Sequence, residues 1–145
     1  MRTLQVFYPD STTGVLISGF PGGHPASIDG SMTLMQDIVL YLKTRPGSDS
    51  FDPTRGSILG DPGALSKALR DPGQLKVLVT GDVSNCQSYI IAQQEDQRQA
   101  GVKLSTNETL VQLEVNNVYQ GADPTSIFVE ILVHTAGNQQ FTVTV

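Results

Sequence analysis

The sequence predicts an α+β fold, with helices gathered in the middle of the chain and β-structure at both ends. Two observations carry this. The last third holds three runs in which alternate residues are apolar, joined by turn-forming residues, whereas the stretch from Ser31 to Gly101 shows apolar residues at helical spacing between Pro and Gly stops. With 145 residues, 39% hydrophobic and 16% charged, the chain has the size of one domain and enough apolar material for a core. The expected architecture is a single domain over 1–145: an N-terminal β-hairpin, helices, then a C-terminal antiparallel three-stranded meander.

Each element follows from local chemistry. Thr3 to Pro9 and Val15 to Phe20 are β-rich and flank Asp10-Ser11-Thr12-Thr13-Gly14, a polar turn, so they read as the hairpin. Pro21-Gly22-Gly23-His24-Pro25 then breaks the chain as a plain turn, because no strand–loop–helix phosphate motif surrounds the glycines. Ser31 is placed to cap the first helix, whose stripe is Leu34, Ile38, Tyr41 and Leu42, widened by Met35 and Val39. Arg45-Pro46-Gly47 stops it, since a residue before proline avoids the α region. A turn-rich connection reaches Gly63, expected to pack on the body with Phe51 as its aromatic anchor.

Asp61-Pro62 supplies an N-cap and a proline in the first turn for a short helix through Ala64, Leu65, Ala68 and Leu69, and Asp71-Pro72 repeats the signal. From Leu75 to Val79 the residues fit both strand alternation and helical spacing, with helix the favoured reading. Ser84 is expected to cap a longer helix running to Gln99, with Gly101 as its stop. In the C-terminal third, Val111, Leu113, Val115 and Tyr119 are placed on one face. Ile127, Val129, Ile131 and Val133 share another, as do Phe141, Val143 and Val145. Phe128 and Leu132, on the second face of the middle run, suggest a central strand covered on both sides.

Composition excludes several function classes. Nine Lys and Arg against fourteen Asp and Glu give a net charge of −5 with no basic cluster, which argues against nucleic acid. Apolar runs such as Ile127 to Val133 are too short to span a bilayer, and the alternating residues after Met1-Arg2 do not resemble a signal peptide. The single Cys86 rules out an internal disulfide or a Cys-based zinc cage and suits a reducing compartment, and only His24 and His134 remain as imidazole ligands.

No carboxylate pair has surroundings that would separate two pKa values for acid–base work. Asp49 and Asp52 sit where turn formers are expected, and Glu114 and Glu130 alternate with apolar residues on strands. Cys86 would need His24 or His134 as a base to act as a nucleophile, and a buried, inert thiol is the simpler reading. His134 reads as a surface imidazole on the middle strand. Asn107-Glu108-Thr109 matches a glycosylation acceptor, but no secretory signal gives it weight. Residue chemistry alone thus predicts an α+β domain with no catalytic site, metal or cofactor.

One stretch adds to this. The helix Gln36–Lys43 running into Thr44-Arg45-Pro46-Gly47, followed by Phe51-Asp52-Pro53-Thr54-Arg55-Gly56, resembles the small baseplate wedge protein of contractile phage tails. That family includes a baseplate component of type VI secretion systems. Its order of helices, a long helix and a terminal antiparallel sheet is similar to residues 30–145, leaving 1–29 as an N-terminal extension. Two departures stand out. Ser48 follows Pro46-Gly47 where the family usually has an acidic residue, with Asp49 one place later. The family's Glu-Pro-Arg signature near the end of the long helix has no counterpart in Arg98-Gln99-Ala100-Gly101-Val102-Lys103.

The resemblance implies a structural, non-enzymatic component of the virion's tail baseplate, made in the host cytoplasm and present in several copies around the tail axis. Its implied partners are other wedge proteins and the tail sheath protein, with no nucleic acid, membrane or cofactor. Arg45, Pro46, Gly47, Phe51, Arg55 and Gly56 are the expected wedge interface. Gln139 to Val145 would form a sheet edge without Pro, Lys or inward charge, and Phe141, Thr142, Val143, Thr144 and Val145 would accept a strand from the sheath. A tail-associated peptidoglycan hydrolase is the rival from another class, since some members carry a "lysozyme-like" label. Another tail adaptor or a type VI secretion baseplate protein is the third reading.

Overall fold

The computed structural model describes residues 30–123 and 125–145 in full and, before them, the backbone of four short strands. These are β1 (Arg2–Leu4), β2 (Phe7–Pro9), β3 (Leu16–Ser18) and β4 (Ser27–Asp29). β2 pairs antiparallel with β3, Tyr8 opposite Ile17, as a hairpin requires. Thr3 and Leu4, expected in that same hairpin strand, pair instead with β4, Thr3 opposite Ile28. The sequence reading missed β4 because three residues are too few for a period of two to register. The turns at 10–14 and 21–25, with His24, lie outside the described residues.

Helix α1 (Ser31–Lys43) begins at Ser31 itself, so the expected cap is displaced by one residue. Gly30 is the N-cap, at φ 63°, a conformation that disfavours a side chain, and it offers no side-chain cap. The Gly30 N–H instead donates to Glu108 Oε1 at 3.0 Å. The predicted stripe is the buried one: Leu34, Ile38, Val39, Tyr41 and Leu42. A 3₁₀ turn over Ile58–Gly60 leads into α2 (Pro62–Ala68), where Asp61 Oδ1 accepts from the N–H groups of Gly63 and Ala64, as predicted.

Asp71 likewise caps α3 (Pro72–Gln99), a single helix of 28 residues. The stretch from Leu75 to Val79 is therefore helical, and Ser84 lies mid-helix rather than at a start. Ser84 carries no capping role because, inside a continuous helix, the N–H groups that follow it already donate to carbonyls one turn back. Gly101, at φ 85°, ends α3 as expected: its N–H donates to the Arg98 carbonyl and that of Val102 to Gln97, the double bond of a Schellman stop.

The C-terminal sheet has the order β5 (Leu110–Gln120), β6 (Ile127–Thr135), β7 (Gln140–Thr144), all antiparallel. Ile127, Val129, Ile131 and Val133 of β6 join Val143, Val145 and the helix stripes in the core. On β5 the register shifts between Leu110 and Gln112 and again between Val115 and Asn117. Each shift turns the strand over, so Leu110, Leu113, Val115 and Val118 face the core, while Val111 and Tyr119, assigned to that face from alternation, stay exposed. Phe128 and Leu132 on the second face of β6 are only partly buried, Phe128 against the Tyr119 ring at 5.5 Å. That face is not the covered one expected.

Candidate functional site

The segment between α1 and α2 is built from the end of α1 outward. Thr44 closes the helix by donating its hydroxyl to the Leu40 carbonyl at 2.6 Å, and its own carbonyl accepts from the Ser57 N–H at 3.1 Å. The Ser57 hydroxyl returns to the Leu42 carbonyl at 2.6 Å. Gly56 (φ 125°) and Gly60 pass so close to the Thr44 carbonyl that any Cβ there would overlap it. The base of the loop is thus stitched to α1 by backbone chemistry.

The tip is held as firmly. Gly47 N–H donates to the Pro53 carbonyl at 3.0 Å, and Asp49 Oδ1 accepts from the N–H groups of Phe51 and Asp52 at 2.9 and 3.3 Å. Those two bonds, helped by Arg55 Nη1 at 3.4 Å from Oδ2, hold the Asp49 carboxyl below its ordinary pKa. Asp52 Oδ1 in turn accepts from the N–H and hydroxyl of Thr54. The Arg55 guanidinium lies 5.6 Å from the centre of the Tyr89 ring, which itself packs at 5.1 Å from Tyr41. Arg55 Nε is buried without a hydrogen-bond partner.

The predicted interface residues therefore divide in two. Arg55, its side chain 26% exposed, and the buried Gly56 build the loop's base. Arg45, Pro46 and Gly47 face solvent, Arg45 loosely paired with Asp61 at 3.9 Å. Phe51 does not pack on the body as expected: it is 99% exposed. The Asp49 turn directs the tip away from the core, so the aromatic ring stands alone on a well-bonded loop.

The second predicted site is β7. Val129 and Val145 exchange both backbone bonds at 3.0 Å, and Thr135 N–H donates to the Gln139 carbonyl at 3.1 Å. Pairing alternates along an antiparallel ladder, so Phe141, Val143 and Val145 spend their backbone groups on β6. Gln140, Thr142 and Thr144 direct theirs to the free edge. Val143 and Val145 are buried and Phe141 partly so, as predicted, whereas Thr142 is exposed.

The opposite edge, β5, is treated differently. Gln87 Oε1 accepts from Leu113 N–H at 2.8 Å, and Gln94 Oε1 from Leu110 N–H at 2.9 Å. Gln94 Nε2 also donates to the Glu108 carbonyl at 2.7 Å, and this side chain is 6% exposed. Two glutamines seven residues apart on α3 thus cap two N–H groups at the start of β5. Glu108 completes the junction: burial works against its charge, but hydrogen bonds, those from the N–H groups of Ser105 and Gly30 among them, hold its pKa low. Sequence reading missed all three. The available signal was helical, since Val83, Gln87, Ile90 and Gln94 fall on one face of α3.

Cys86 is buried and its thiol is pushed up to about 12 by burial, so it stays protonated at neutral pH. Asp37 on α1 is raised by burial to about 6, against the opposing pull of Arg55. His134 lies 3.7 Å from Glu114 on the outer face of the sheet. Among the described residues no group of three or more His, Cys, Asp or Glu side chains could hold a metal, and no helix is long and apolar enough to cross a membrane. Compared with family models, curated proteins and solved structures, the chain matches none.

Proposed function

We propose that this chain is a structural wedge component of a contractile-tail baseplate, and that its C-terminal sheet starts the sheath by accepting a strand along β7. The reading joins the resemblance of Gln36–Gly47 and Phe51–Gly56 to one observation. Of the sheet's two edges, α3 caps the start of β5 at the Leu110 and Leu113 N–H groups through Gln94 and Gln87, while the outward N–H and C=O groups of Gln140, Thr142 and Thr144 on β7 have no strand partner among the described residues. An unprotected edge is a template for another chain's strand. Phe141, Val143 and Val145 would hold β7 in register from below while the main chain supplies the affinity. Under this reading the protein is an assembly part and not an enzyme. It takes no cofactor, works in the virion's tail, and has wedge and sheath proteins as its partners.

The test is Thr142→Pro. Proline removes an outward donor and leaves the bonds of Phe141 and Val143 to β6 in place, so the variant folds. Particles carrying it should form baseplate and tube but start sheath poorly. Normal sheath on particles shown to contain the folded variant refutes strand addition at this edge.

A further inference from the structure

The core does not close where α2 gives way to α3. Leu69 just after α2, and Pro72 and Leu75 on the first turn of α3, form one wall of a cleft of about 170 Å³. Val118 and Ile127, from the end of β5 and the start of β6, form the other. Leu75 and Ile127 are buried core residues, and Leu69 and Val118 pack against them, so the floor of the cleft is continuous with the core. From Asn117 to Gln120, β5 pairs with β6 without a shift, which puts Gln120 on the same face as Val118. An amide thus stands where one more apolar side chain would have filled the gap, and Gln120 lines the cleft.

The lining includes a single charged side chain, Lys76, which is exposed and has no ion-pair partner among the described residues. The carboxylates closest along the chain to the lining residues, Asp71 and Asp123, do not line the cleft and are engaged elsewhere. Asp71 Oδ1 accepts from the Gln74 N–H, and Asp123 Oδ1 accepts from the N–H and hydroxyl of Thr125. Apolar walls with one ammonium among them match an apolar tail that ends in one negative charge. A carboxylate supplies that charge and offers acceptors to the three ammonium N–H donors. The tail's size follows from the volume, since an apolar cavity of about 150 Å³ holds a six-carbon ring.

We infer that this cleft is a binding site for a small aliphatic carboxylate of about six carbons, its tail between Leu69, Leu75, Val118 and Ile127 and its head on the Lys76 ammonium. Burial of the tail supplies most of the affinity, and the ion pair selects the head group. No residue of β7 lines the cleft, so the inference is independent of strand addition.

The experiment is a chemical-shift titration of the full isotope-labelled chain with hexanoate, 1-hexanol and hexylamine at neutral pH. Hexanoate should saturate with a Kd of about 1 mM and move the signals of Leu69, Leu75, Val118 and Ile127 before all others. It should bind about threefold more tightly than hexanol, the margin that an exposed ion pair adds, with hexylamine the weakest. Lys76→Met keeps an apolar stem of similar length, so hexanoate should fall to the level of hexanol while hexanol is unaffected. The inference is overturned if no saturable shift appears by about 20 mM, or if the shifts centre elsewhere or scatter over the surface. It is equally overturned if hexanol or hexylamine binds as well as hexanoate, or if hexanoate keeps its margin in Lys76→Met. Failure of Thr142→Pro to affect sheath would overturn the strand-addition reading and leave this result untouched.

Discussion

Gln94→Met tests how the sheet is fastened to its long helix. The side chains are similar in length, so the perturbation is chemical rather than steric. It removes the 2.7 Å donor to the Glu108 carbonyl and the 2.9 Å acceptor for the Leu110 N–H at a site where Gln94 is 6% exposed. Each buried backbone group left without a partner costs about 1–3 kcal/mol, and burying the more apolar thioether returns roughly 1 kcal/mol, so the net loss is about 1–5 kcal/mol.

Gln87→Met is the control, because it removes the single 2.8 Å bond to Leu113 N–H at a side chain that water reaches. A loss of about 1 kcal/mol is expected there. The chain has no Trp, so urea unfolding followed by far-UV circular dichroism is the assay, with m unchanged across variants. If Gln94→Met lies within about 0.5 kcal/mol of the parent, or Gln87→Met proves the costlier change, the two-bond junction is not what holds β5 to α3. The freed Leu110 N–H should also make Gln94→Met more prone to associate as concentration rises, since it uncovers the start of the β5 edge.

Two further outcomes follow from other sites. Asp37 has a folded-state pKa of about 6 against an ordinary value of 3.8, so the folded state binds its proton more tightly and stability falls as pH rises from about 4 through 6. Asp37→Asn should therefore gain on the parent by about 2 kcal/mol between pH 4 and pH 8 in paired unfolding curves, and an advantage flat with pH would contradict this. Gly60→Ala would drive a methyl into the Thr44 carbonyl and should cost at least about 2 kcal/mol, lowering the melting temperature by several degrees. Unchanged melting would mean that the base of the loop is not so tightly joined.

What the sequence determined by itself is the part of the fold written in local chemistry. The stripe of Leu34, Ile38, Val39, Tyr41 and Leu42, the Asp61-Pro62 and Asp71-Pro72 starts, the Gly101 stop and the alternation on β6 and β7 each depend on neighbours within a turn or two of backbone. Phe51 and the β7 edge could be named for the same reason. Where a side chain's role depends on distant partners, tertiary structure decided. The bulges of β5 reversed Val111 and Tyr119, because register is set by pairing with β6 and not by β5 alone. Ser84 fell inside a helix because α3 runs unbroken from Pro72 to Gln99. Gln87, Gln94 and Glu108 look like surface residues in sequence, and only the packing of α3 against β5, and of Gly30 beside Glu108, takes Gln94 and Glu108 out of water and gives all three a backbone group to satisfy. Phe51 was legible as an aromatic in a polar loop. That it stands outside the core followed only from the hydrogen bonds of Asp49 and the anchoring of Arg55 on Tyr89, which aim the loop outward.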